Sequence, residues 1–93
     1  VVTAMKKLQE ELGPDAPAFL DLVAMLAEPA AIYLGEAPLP DGRFGIDLEL
    51  ARFHIDLLAL LAQKTRGNLT AEESAVLDDL LARLRMSYVQ RRG

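Results

Sequence analysis

The 93-residue chain contains no cysteine, which excludes a disulfide framework and any thiolate metal site. It has no tryptophan, and aromatic residues make up only 5% of it, so base-stacking platforms and aromatic ligand cages have little to be built from. Basic residues are outnumbered, with 10 Lys and Arg against 14 Asp and Glu and a formal charge of -4. That balance argues against a general nucleic-acid binder and against a protein of the membrane surface. The apolar stretch Ala18 to Leu34 is broken by Asp21, Glu28 and Pro29 and is short for a hydrocarbon core of about 30 Å. No phosphate-cradling glycine loop, nucleophile elbow or zinc pattern occurs, so no catalytic residue and no cofactor is expected and the chain reads as non-enzymatic. The opening Val1-Val2-Thr3-Ala4-Met5 lacks a charged stretch leading into an apolar run, so export is not expected.

What the chain does have is apolar surface. Hydrophobic residues reach 52% alongside 26% charged residues, and the mean hydropathy is +0.17, a composition that folds rather than stays disordered. The length fits one domain, 1–93, held together by core burial or self-association.

Punctuation divides the chain into four helical segments. Thr3 to Leu12 carries Met5, Leu8 and Leu12 on one face and stops at Gly13-Pro14, giving a short, peripheral N-terminal helix within 1–14. The second segment opens with Asp15-Ala16-Pro17, a capping carboxylate followed by a proline suited to a first helical turn. It runs to Leu34 and stops at Gly35, with a kink expected at Pro29 or, failing that, two shorter helices. Gly35 to Ile46 holds Pro38, Pro40, Asp41-Gly42 and Gly45 and reads as a loop. Asp47 then caps a third helix from Leu48 to about Arg66, stopped by Gly67-Asn68. Thr70-Ala71-Glu72-Glu73 matches a capping box, so a fourth helix, 71–91, forms an antiparallel hairpin with 48–66 across a short turn. Period-two alternation is missing throughout. The expected fold is all-α, a small bundle of three main helices plus the short N-terminal one, with 15–91 as its core.

On a wheel of about 100° per residue, Glu49, Arg52, Asp56 and Gln63 gather into one stripe roughly 60° wide. Almost all the rest of the third helix is apolar, far wider than the stripe of an ordinary surface helix. The second helix repeats the pattern: only Asp21 and Glu28 are charged between Phe19 and Leu34, and Ala24, Ala27, Ala30 and Ala31 would allow close approach. The fourth is conventionally amphipathic, with Leu77, Leu80, Leu81, Leu84 and Tyr88 inward. One amphipathic partner cannot cover two helices that are apolar nearly all round, and leaving the surplus in water costs on the order of 25 cal/mol per Å². A homo-oligomer is therefore expected, most simply a C2 dimer, with Phe19, Val23, Leu26, Leu50, His54, Leu57, Leu58 and Leu61 at the interface with self or with another protein. Leu57→Asp is expected to be the most disruptive single change.

Candidate chemistry is sparse. His54 is the only histidine and sits among Leu50, Leu57, Leu58 and Leu61. It reads either as a pH-sensitive interface group or as a neutral ring hydrogen-bonded to a carbonyl or a nearby side chain, and the second reading is favoured. Glu72, Glu73, Asp78 and Asp79 form an acidic cluster, which complements a helix N-terminus without any ligand. A small-molecule or metal-binding protein using His54, Asp56 and these carboxylates is the alternative from a different class, although no metal-ligand spacing supports it. Arg83 to Arg92 is a weaker candidate for nucleic-acid contact, with Tyr88 expected on the inward stripe rather than among the arginines. Asn68-Leu69-Thr70 fits a glycosylation pattern by letter only.

The run from Phe19 to Val89 resembles an uncharacterised bacterial family, domain of unknown function 1844. The matching residues are Leu34-Gly35-Glu36 with Pro38, Asp47-Leu48 with Ala51, and Ile55-Asp56-Leu57-Leu58. They continue with Lys64-Thr65, Gly67-Asn68-Leu69-Thr70 with Glu73, Arg83 and Tyr88-Val89. The resemblance covers about three quarters of the chain and implies a bacterial, cytoplasmic setting; it carries over no activity and no site residue. His54 departs from it, standing where a polar uncharged residue is expected, as do the acidic Asp21 and Glu28.

Overall fold

The computed structural model describes residues 18–93. The expected helix Thr3 to Leu12 and the Asp15-Ala16-Pro17 start lie outside the described residues. Three helices follow: α1 (Phe19–Tyr33), α2 (Leu48–Lys64) and α3 (Ala71–Arg92). Among the described residues there is no strand, and no helix is long and apolar enough to cross a membrane.

α1 begins at Phe19, and its cap comes from inside the helix. Ala18 is the extended N-cap residue and has no side-chain acceptor. Instead the Asp21 carboxylate reaches back to accept from the Ala18 N–H at 2.7 Å, the returning half of a capping box. The helix then continues through Pro29 without interruption, which rules out the reading as two shorter helices. Proline withdraws only the N–H that would have gone to Met25, and the turns on either side stay helical. Gly35 ends the helix at φ +80°, where its N–H donates to Ile32 and the Glu36 N–H to Ala31, both at 3.0 Å. This 5→2 and 6→1 pair is a Schellman motif.

The loop 34–47 closes on itself, since the Asp47 N–H donates to the Tyr33 carbonyl at 2.9 Å. The end of α1 therefore meets the start of α2, and the two helices run back alongside each other. Asp47 caps α2 by accepting from the Leu50 N–H at 3.1 Å. α2 ends two residues short of Arg66: Thr65 is its C-cap, and the Thr65 hydroxyl donates to the Leu61 carbonyl at 2.7 Å. The expected capping box opens α3, with Thr70 Oγ1 accepting from the Glu73 N–H at 3.1 Å and the Glu73 carboxylate from the Thr70 N–H at 2.8 Å. Joined by the short turn at Gly67, α2 and α3 form the antiparallel hairpin.

All three helices contribute to the core: Val23, Ala27 and Ala30 from α1 with Leu34 just past its end, Ala51, Ile55 and Leu58 from α2, and Leu77, Leu81 and Leu84 from α3. Ala30 and Ala51 are fully buried; their small side chains allow α1 and α2, the most extensively packed pair, to approach closely. α3 lies across both on one side.

Candidate functional site

The inner face of α2 is defined by Ala51, Ile55 and Leu58, and that of α1 by Val23, Ala27 and Ala30. The seam between the two helices is marked by Tyr33 and His54, whose rings lie 5.7 Å apart. The opposite flank of each helix faces α3: Ala27, Ala31 and Glu28 border a groove with Leu80 and Leu84, and Ile55 and Arg52 border another with Tyr88 and Val89. At about 100° per residue, the arc left over on each helix points away from α3. On α1 that arc carries Leu22 and Met25, 45% and 70% exposed; on α2 it carries Leu50, Phe53 and Leu60, 39%, 56% and 48% exposed. Half-buried Leu57 lies between them. The two arcs adjoin across the seam and form one apolar face.

The expected interface residues divide over this geometry. Leu50 and Leu57 lie on the open face. Phe19, Leu26 and Leu61 are partly buried against the core and flank the seam. Val23 and Leu58, at 1% and 0% exposure, are core residues with no surface to offer, because α3 already covers the arc on which they sit. Leu22 and Met25, absent from that set, are exposed apolar side chains of the face, and Met25 is its most exposed. Phe53 and Leu60 belong to the apolar arc seen in the sequence, but only the position of α3 shows that their side is the open one.

His54 is half-buried at the seam. Its Nδ1 lies 2.8 Å from the Leu50 carbonyl, and since a carbonyl can only accept, Nδ1 is the donor. Phe53 meets the ring edge-on at 5.5 Å. This is the carbonyl-bonded histidine favoured from the sequence. Among the described residues no three His, Asp or Glu side chains converge as a metal site. Within the acidic cluster, Glu73 serves the α3 cap and Asp79 pairs with Arg83 at 3.0 Å. The Asp41 carboxyl in the α1–α2 loop is held below its ordinary value by hydrogen bonds from the Arg43 side chain and then the Arg43 main chain.

Tyr88 corrects an expectation. It is half-buried as its stripe implies, but the Arg92 guanidinium lies over its ring, 5.8 Å from the centroid. The inward stripe and the basic end of α3 therefore meet at this residue.

A sequence model of the family described as "Domain of unknown function (DUF1844)" matches residues 16–90. No curated protein and no solved structure matches the chain.

Proposed function

The chain belongs to the family of the domain of unknown function 1844, a membership that names no activity, and from its open face we propose that it is a non-enzymatic interaction module that pairs with a second copy of itself. The observation that carries this reading is the shared placement of Leu22, Met25, Leu50, Phe53 and Leu60 on one side of α1 and α2, away from α3. Covering a side chain that stands about half exposed gains on the order of 1 kcal/mol. The set together is therefore worth roughly 5 kcal/mol, comparable with the net stability of a small domain. A second copy brings an identical set, so a self-complementary contact doubles the gain.

Charge favours the same occupant. Asp21 lies in the first turn of α1 and Lys64 in the last turn of α2, and both are at the same end of the helix pair because the chain reverses between Tyr33 and Asp47. A twofold axis along the helices lays α1 of one copy on α2 of the other and sets Asp21 near Lys64 across the contact. His54 Nδ1 is held by the Leu50 carbonyl and the Ser87 hydroxyl by Glu36.

Light scattering on the full chain at micromolar concentration tests the proposal. The expected particle has twice the 10.2 kDa chain mass, and Lys64→Glu weakens its association. A particle of single-chain mass at every concentration up to about 100 μM, where even a weak specific dimer should form, overturns it.

A further inference from the structure

On a different flank of α2 from Phe53, a groove of about 350 Å³ runs between α2 and α3. α2 supplies Arg52, Ile55 and Asp56, at i, i+3 and i+4; α3 supplies Arg85, Tyr88, Val89 and Arg92, at i, i+3, i+4 and i+7. Both sets are single helical faces. Three guanidiniums thus line one groove that holds a single carboxylate, in a chain whose formal charge is -4. That carboxylate, Asp56, approaches Arg52 only to 3.9 Å. Among the described residues neither Arg85 nor Arg92 has a carboxylate within ion-pair distance. Like charges gathered at one place repel, and an oxyanion bound among them would relieve that repulsion while accepting forked N–H donors.

The walls narrow the ligand further. Ile55, Tyr88 and Val89 are apolar surfaces between the arginines, and Arg92 already uses the Tyr88 ring as a platform. An anion with a flat, weakly polar body fits such a lining better than a bare inorganic ion. A long polyanion fits worse, because the chain outside the groove carries a net negative charge, the formal total being -4. We propose that this groove is a binding site for a phosphate-bearing small molecule with a flat body, of the size and chemistry of a mononucleotide. The site does not depend on self-association, since the proposed contact uses another side of α2.

Titration calorimetry of the full chain in about 50 mM salt, where phosphate contacts are strongest, with ADP and inorganic pyrophosphate as probes, tests the assignment. ADP should bind more tightly than pyrophosphate. Replacing Arg85 and Arg92 together by Gln should weaken ADP binding at least about tenfold, with the helical circular dichroism unchanged. Arg83→Gln, outside the groove, should leave binding as it was. Failure of ADP to bind, or binding indifferent to the double replacement, overturns the site. Pyrophosphate binding as tightly as ADP overturns the flat-body assignment. A single-stranded oligonucleotide that outcompetes ADP, with a steep loss of affinity in salt, transfers the groove to nucleic-acid contact and overturns the small-molecule reading.

Discussion

Ser87 of α3 donates its hydroxyl to the carboxylate of Glu36 at 2.5 Å, across 51 positions of sequence. Ser87 is only 9% exposed, the one buried polar residue among those described, whereas Glu36 reaches solvent. The bond ties the C-terminal half of α3 to the residue immediately past α1's glycine stop, and so joins α1 and α3, the least extensively packed of the three helix pairs. A charge-assisted bond at a buried hydroxyl should show a coupling of about 1 to 2 kcal/mol in a double-mutant cycle. Chemical denaturation of Ser87→Ala, Glu36→Ala and the double variant measures it. Zero coupling would mean that the hydroxyl is equally well satisfied by its own helix.

Gly35→Ala should be more costly than an ordinary loop substitution. The residue adopts φ +80°, and a Cβ there would stand 2.9 Å from Ile46 Cγ1. Backbone strain in the left-handed region costs about 1 to 2 kcal/mol for an alanine, and displacing Ile46 adds to it. Gly42→Ala serves as the comparison: it shares the positive φ but meets nothing within 4 Å. Thermal melting should therefore rank Gly35→Ala below Gly42→Ala, and equal melting points would remove the steric part of the account.

Asp41 should titrate below the usual carboxylate value of 3.8. Its Oδ2 accepts from Arg43 Nε at 2.7 Å and its Oδ1 from the Arg43 N–H at 3.0 Å; both bonds favour the charged form. Because the folded pKa is the lower one, the stabilisation is present at neutral pH and is lost as pH falls through the lowered value. NMR titration of the Asp41 carboxyl carbon should give a midpoint under 3.8 that rises in Arg43→Gln. A midpoint unmoved by that replacement would separate the shift from Arg43.

The parts of this structure legible in the sequence are those decided within one turn of chain. The Asp47 cap and the Thr70–Glu73 box each join a side chain to an amide three residues away, so the letters suffice. The start of α1 was harder to read for a related reason: Asp21 reaches back to cap Ala18, and a carboxylate inside a helix looks like any other surface charge. The continuity of α1 through Pro29 depends on neighbouring turns and packing, which no local rule reports. The breadth of the apolar arcs on α1 and α2 was plain, but which part of each arc faces inward was not. Val23 and Met25, or Leu58 and Phe53, are equally apolar on a wheel, and only the side taken by α3 makes one member core and the other surface. The arginine-lined groove was hidden for the same reason, since Arg52 and Arg92 meet only when α2 and α3 pair.

That distinction between core and face can be tested at adjacent positions of α2. Leu57→Asp, which the sequence singles out as most disruptive, falls on a half-buried residue of the open face, where a carboxylate can turn toward water in a single copy. Leu58 is fully buried, and a carboxylate there must either be protonated or remain desolvated, at a cost of several kcal/mol. Leu58→Asp should therefore unfold the chain or lower its melting temperature drastically. Phe53→Asp acts on a side chain 56% exposed and should leave the helical circular dichroism of one copy intact. If the open face is the self-contact, Phe53→Asp should also halve the particle mass, and its melting temperature should no longer rise with protein concentration. Should Phe53→Asp unfold the chain while Leu58→Asp stays helical, the inner and outer sides of α2 have been exchanged, and the placement of α3 against Ala51, Ile55 and Leu58 is wrong.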